Sequence, residues 1–260
     1  MLLAGVLALV LAGCSAHDAE KKLRFGWPTG VTKQAEKMRV LWTWSGVAAL
    51  CVGVLVWGLI FWCCIRYRKR NDELPRQTKY NLPIELVYSL APFIIIAGLF
   101  YRTVIVEDDV NKLSKNPDVL VQVDAFKWNW QFEYLDSHET KTVYSSDKKT
   151  PLSTVGSDDE IPVLVLPKGE TVQIIEHSED VVHSFWVPEF LFKRDVIPGH
   201  PNHFSITATK TGTFTGHCSE LCGLYHSRML FTLKIVTPAQ FQTWVSQQQA
   251  IQKTASGSTQ

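Results

Sequence analysis

The sequence predicts a two-helix transmembrane hairpin followed by an all-β sandwich or barrel. Two long apolar stretches, at residues 41–65 and 82–106, are each long enough to cross a bilayer. Beyond them the chain changes to short, alternating apolar and polar runs separated by Gly, Pro, Asp or Ser. The charge changes sign at the same place. Residues 1–106 carry 13 Lys/Arg and 6 Asp/Glu, a net of +7, whereas residues 107–260 carry 13 and 19, a net of −6. A length of 260 residues accommodates such an anchor and one compact domain.

Residues 2–12 are apolar or small, as in the core of a secretory signal, and too few to span a membrane. They end in Leu-Ala-Gly-Cys at Leu11 to Cys14, which resembles the lipobox of bacterial lipoproteins. The expectation is a signal peptide over residues 1–13, lipidation of Cys14 and an external N-terminal segment over residues 14–40. No Lys or Arg precedes the apolar run, a departure from the pattern that an upstream start would account for.

The hairpin is expected over residues 41–106. Only Thr43 and Ser45 interrupt its first span, and the second carries Glu85 near its start and Arg102 near its end. Trp42, Trp44, Trp62, Tyr67, Tyr80 and Tyr101 fall near the ends, where aromatic belts lie. The loop at about residues 66–80 holds Arg66, Arg68, Lys69, Arg70, Arg76 and Lys79 against Asp72 and Glu73. Positive loops stay in the cytoplasm, so both ends of the hairpin face outward. Cys51, Cys63 and Cys64 read as small apolar residues of the first span.

An external domain is expected over residues 107–245. Strand-like runs occur at residues 120–124, 131–135, 161–166, 171–175, 203–208 and 229–236. Residues 136–160 are polar and read as a surface excursion. Residues 246–260, rich in Gln, Ser and Thr, read as a flexible tail.

The chemistry is concentrated in one run, Cys218-Ser-Glu220-Leu-Cys222-Gly-Leu-Tyr-His226-Ser-Arg-Met229. Thiolate, imidazole and thioether are soft and borderline ligands, which favour copper over calcium, magnesium or manganese. An axial Met suits a mononuclear copper site, but such a site needs only one Cys. Two Cys invite a pair of coppers bridged by both thiolates, with a second His from elsewhere. His183, in Asp-Val-Val-His-Ser-Phe-Trp-Val-Pro, is the candidate. Spacing alone leaves open zinc, which accepts two Cys and two His, and a Cys218–Cys222 disulfide.

The run CSELCGLYHSRM resembles the copper loop of cytochrome c oxidase subunit II, and the likeness extends over roughly residues 40–245. His183 lies upstream within VHSFWVP, residues 195–199 read DVIPG, and Trp128-Asn-Trp130-Gln-Phe-Glu-Tyr134 resembles the family's aromatic patch. The resemblance implies a cupredoxin-like domain and a binuclear copper centre, CuA. It implies that His183 and His226 bind one copper each and that Cys218 and Cys222 bridge them. Met229 and the Glu220 carbonyl would be the weak axial ligands, with the Glu220 carboxylate reaching a magnesium at the interface with subunit I.

The resemblance further implies electron uptake through Trp128. It also implies a proton pathway into subunit I whose mouth is Glu85, seven residues before Pro92. An acidic external domain suits a basic electron donor. The implied protein is a proton-pumping translocase subunit in a bacterial plasma membrane, in contact with lipid and with subunits I and III. Its donor would be a cytochrome c or a cytochrome bc complex carrying one, and no nucleic-acid partner is expected. No C-x-x-C-H occurs, so no c-type haem is expected on this chain. A membrane-anchored copper-delivery protein would not need Trp128, Glu85 or paired spans. Nitrous oxide reductase, which uses a similar loop, lacks the anchor.

Overall fold

The structure, a computed structural model, describes residues 27–74, 77–135, 152–157 and 159–257. Cys14, the expected signal segment, Arg76 and most of the polar excursion lie outside the described residues.

One unit, Lys37–Lys112, contains the two apolar helices. Helix α1 is Lys33–Arg66 and α2 is Leu82–Asn111, 34 and 30 residues long. At about 1.5 Å per residue both exceed the roughly 30 Å of a bilayer's hydrocarbon core. Each contains an 18-residue apolar window with none of its residues buried. Large side chains such as Trp44, Val54 and Phe93 therefore face outward, which is stable only in an apolar surrounding. Pro83 falls in the first turn of α2, where its missing N–H costs nothing. Glu85 sits in the same turn, and its carboxylate accepts the Asn81 N–H at 2.8 Å. Near the other ends of the helices Lys37 pairs with Asp109 at 2.7 Å.

The other unit joins the described residues up to Glu36 with Leu113 onward. Its strands among the described residues are β1 (Val119–Phe126), β2 (Asn129–Tyr134), β3 (Leu152–Val155), β4 (Val163–Pro167), β5 (Thr171–Ser178), β6 (His183–Val187), β7 (Phe192–Val196), β8 (Asn202–Thr207), β9 (Gly212–Cys218) and β10 (Leu230–Val236). They form two five-stranded sheets, ordered β3-β2-β1-β5-β8 and β4-β10-β9-β6-β7. Strands β1 and β5 run parallel, as do β4 and β10; every other pairing between these strands is antiparallel.

Alternation supplies the core. Val119, Val121, Val123 and Ala125 of β1, with Trp130, Phe132 and Tyr134 of β2, are fully buried. Across the sandwich Trp130 meets Phe185 edge-on at 6.0 Å, and Phe185 stacks on Phe231 at 4.8 Å. Each such ring contributes about 1.5–3 kcal/mol by burial. The Tyr134 hydroxyl donates to the Val165 carbonyl at 2.9 Å and accepts the Val165 N–H at 2.8 Å, tying the sheets together.

Three features depart from the sequence reading. Strand β3 falls inside the supposed excursion, because it is a short edge strand whose only buried side chain is Leu152. Helix α3, Pro238–Gly257, continues through residues expected as a tail. Its start is anchored by buried Phe241 and Val245 and by Trp244, which packs on Tyr134 at 5.0 Å. Beyond residue 246 it continues on helix-forming Gln and Ala without a strong apolar face. Residues 31–35, expected only as an external segment, are docked on the β unit. Val31 exchanges backbone hydrogen bonds with Glu189 and Thr209, and Ala35 is fully buried.

Candidate metal centre

The centre lies where β6 begins and β9 ends. These strands pair through Phe185 and Cys218, and the Ser219 N–H donates to the Ser184 carbonyl at 3.1 Å. His183 and Cys218 are thereby neighbours although 35 residues apart. After Cys218 the chain leaves the sheet, turns at Gly223 with φ +119°, and closes in a short 3-10 turn, His226–Arg228. The Cys218 N–H donates to the Met229 carbonyl at 3.0 Å, clamping the base of the loop.

This folding brings every sequence-predicted copper ligand together. Cys218 Sγ lies 3.8 Å from Cys222 Sγ and 3.8 Å from His183 Nδ1. Cys222 Sγ lies 3.5 Å from His226 Nδ1 and 3.7 Å from Met229 Sδ. The Glu220 carbonyl oxygen is 3.2 Å from Cys218 Sγ. Such separations are those of donors sharing a metal at about 2.0 Å from nitrogen and 2.3 Å from sulfur. His183 and Met229 are fully buried, and Cys218 and Cys222 nearly so. The residues fit a copper centre: the set is soft, it converges, and it is shielded from water. Both thiols are free, not joined as a disulfide.

The electrostatics divide the two cysteines. Burial raises the Cys218 thiol, but hydrogen bonds with His183, with the backbone at Ser184 and Glu220, and with His226 bring it down to about 7. Burial and then the charge of Cys218 push Cys222 up to about 12. The pair thus loses its first proton readily and its second with difficulty, and a bound cation removes both.

Sequence reasoning missed Asp180. Its Oδ1 lies 2.8 Å from His183 Nε2, so that nitrogen carries the proton and Nδ1 is left to bind metal. Burial opposes ionisation of Asp180, yet hydrogen bonds from His183, Val181 and Lys127 together hold its carboxyl below the ordinary value. For His183 burial acts downward, and the hydrogen bonds with Cys218 and Asp180 outweigh it and raise the imidazole. An acid three residues before a candidate ligand His was the available signal.

Two indoles brace the loop. Trp128 Nε1 donates to the Cys222 carbonyl at 3.2 Å and Trp130 Nε1 to the Met229 carbonyl at 3.4 Å. Trp128 is half-buried and meets Tyr225 edge-on at 5.0 Å, whereas Trp130 is a core residue. The Glu220 carboxylate accepts from Lys193 Nζ at 2.7 Å, and that contact holds it below the usual carboxylate range. His217 reads as a loop or supporting residue in the sequence, but it belongs to β9. One residue before Cys218, it takes the opposite face and packs on Trp186 at 5.6 Å. Glu85 lies in the helical unit, separate from these residues.

Fold and site together define a metalloprotein of the electron-transfer kind, a β-sandwich centred on soft ligands and carried by two membrane-length helices. A sequence profile described as "Cytochrome C oxidase subunit II, periplasmic domain" matches residues 119–236. The probable cytochrome c oxidase subunit 2 of Nocardia farcinica is 43% identical, the match covering 95% of this chain and 79% of that one. Cytochrome c oxidase subunit 2 of Mycobacterium tuberculosis is 40% identical over 94% of this chain and 79% of its own. The crystal structure of the periplasmic domain of subunit II of cytochrome oxidase from Bradyrhizobium japonicum aligns with a TM-score of 0.43 at 27% identity. That alignment covers 53% of this chain and 98% of the other. The chain belongs to the cytochrome c oxidase subunit II family, and it is a membrane-anchored protein with a soluble β domain.

Proposed function

We propose that this chain is the electron-accepting subunit of a proton-pumping terminal oxidase. It takes electrons from a cytochrome c at a binuclear copper centre and passes them to the haems of subunit I, where oxygen is reduced to water. The observation that carries this reading is the pair of thiols 3.8 Å apart, each flanked by its own imidazole nitrogen. That symmetry suits two copper ions, which His183, His226, Cys218 and Cys222 would hold between them. Met229 Sδ and the Glu220 carbonyl complete the set on either side. Copper held there supplies one-electron redox chemistry; the chain supplies position, dryness and electrostatics.

The residues around the site have separable tasks. Asp180 fixes the His183 tautomer. Trp130, through the Met229 carbonyl, and the β9–β10 hydrogen bonds keep the ligand loop stiff, so little rearrangement accompanies a change of charge. Trp128 is bonded to a ligand residue on one side and partly open to solvent on the other, which suits it to receive an electron from a docked haem edge. Leu221, Leu224 and Tyr225 are exposed beside it and offer an apolar landing surface. The acidic balance of residues 107–260 favours a basic donor.

The same reading includes the finer assignments. Residues 1–13 are a signal peptide, Cys14 is lipidated, and residues 14–40 lie outside the membrane. The hairpin spans residues 41–106 with its loop in the cytoplasm, which puts the copper domain, 107–245, on the periplasmic side. The Glu220 carboxylate contributes to a magnesium site with subunit I, exchanging Lys193 for the cation. Glu85 serves the mouth of a proton pathway, and subunit III and a cytochrome bc complex are further partners.

The test is electron paramagnetic resonance of the purified, copper-loaded chain. Hyperfine structure from one electron shared equally by two copper nuclei is expected. A single-copper spectrum, or a colourless protein that prefers zinc, overturns the binuclear assignment.

A further inference from the structure

A second cluster of metal-binding side chains lies on the outer face of the sheet that carries β1 and β5. Asp124 and His177 are direct partners in the parallel β1/β5 pairing, so their side chains leave the same face. Glu179 follows His177 by two residues and shares that face. Its N–H donates to the Ala125 carbonyl at 3.0 Å, extending the pairing just past the end of β5. His177 Nδ1 is 3.4 Å from Asp124 Oδ1 and 3.3 Å from Glu179 Oε1. One ligand atom from each of the three lies within 4.8 Å of the others.

The surroundings are those of a cation site. Asp124 is 7% exposed, and Gln122 Nε2 donates to both its carboxylate oxygens at 2.9 and 3.1 Å. An amide that orients a carboxylate from behind is a common support for a metal ligand. Burial raises the Asp124 carboxyl, and the Gln122 hydrogen bond and His177 offset that only in part. Among the described residues no Lys or Arg pairs with either carboxylate. Glu179 opens to solvent, which leaves room for water to complete a coordination shell.

We propose that Asp124, His177 and Glu179 form a second metal site, separate from the copper ligands, that takes a divalent ion of the zinc type. One imidazole nitrogen and two carboxylate oxygens with an open position suit such an ion. They do not suit copper(I), which prefers sulfur, and the nitrogen ligand disfavours magnesium and calcium. The site stands beside the copper centre in sequence, because Glu179 precedes the Asp180 that holds His183.

The experiment uses the intact, copper-loaded chain in detergent. Zinc is added by equilibrium dialysis and its surroundings are read by X-ray absorption at the zinc edge. One zinc per chain is expected, bound by nitrogen and oxygen only. H177A and E179A are each expected to lower zinc affinity by at least about tenfold, the scale of losing even a supporting partner. Both are expected to leave the copper spectrum unchanged, which shows that the domain remains folded. Three results overturn the proposal: no zinc retained, zinc retained undiminished by both variants, or sulfur in the zinc shell, which would mark displacement of copper. The first would leave the cluster as polar contacts of His177 with two carboxylates.

Discussion

Replacing Asp180 with alanine tests how the copper centre is held from outside its ligands. Asp180 Oδ1 is 2.8 Å from His183 Nε2, and the carboxylate also accepts the Val181 N–H at 2.6 Å and the Lys127 N–H at 2.9 Å. The two amides lie at the surface, so water replaces the lost acceptor there. His183 is fully buried, so its N–H loses its acceptor inside the protein. A buried donor left without a partner costs about 1–3 kcal/mol. At about 1.4 kcal/mol per tenfold this is roughly a 5- to 150-fold loss of copper affinity, which brackets the ~10–100-fold scale for removing a supporting partner. The loss exceeds what folding alone would register, because without Asp180 the imidazole is free to protonate Nδ1, the nitrogen facing Cys218. The assay is competition for copper against a chelator, with a redox titration on the same samples. D180N, which retains one acceptor oxygen but not the charge, is expected to fall between parent and alanine. Unchanged affinity and potential in D180A, with circular dichroism also unchanged, would refute the tautomer argument.

Copper loading is expected to weaken as pH falls, because protons compete with metal for the thiolates. Well above pH 7 only Cys222, whose thiol stands at about 12, surrenders a proton on binding; toward pH 7 and below, Cys218, at about 7, and His183, whose imidazole is raised, must surrender theirs too. The affinity should therefore drop about tenfold per unit above pH 7 and more steeply below, measured by chelator competition across the range. A flat profile would contradict the pairing of the thiols. W128F removes the N–H bonded to the Cys222 carbonyl and is expected to slow electron uptake from a cytochrome c in stopped flow while the copper spectrum stays intact; an unchanged rate would remove Trp128 from the route. G216A puts a methyl group into the ring of fully buried Phe231, itself stacked on Phe185, and is expected to cost about 1–3 kcal/mol or more, seen as a lower thermal midpoint.

What the sequence made legible follows from which signals are local. The spans were readable from composition, and strands β1, β2, β4, β5, β8 and β10 each show an alternating or apolar run. Strand β3 was hidden in the polar excursion, and strands β6, β7 and β9 were not seen either. His183 to Val187 is buried at nearly every position, so it has no period of two; β9 contains Gly212 and Gly216; and β7 is mostly half-exposed. Five of the six expected copper ligands share one run, which is why the site could be read at all. His183 followed from the need for a second imidazole, and the resemblance then gave it a role; Asp180 needed a rule about what stands behind a metal-bound imidazole. Asp124 and His177 are 53 residues apart and meet only through a parallel strand pairing that no local pattern announces.

The placement of the expected copper ligands divides the site into a local part and a long-range part. Cys218, Glu220, Cys222, His226 and Met229 occupy a single connection between adjacent antiparallel strands, closed at its base by one backbone hydrogen bond. That one connection carries five of the six expected donors, including both thiols. His183 arrives from a strand far back in the chain, and its arrival requires β6 to dock on β9. The sixth donor depends on a long-range strand pairing, whereas the other five depend only on the connection that carries them.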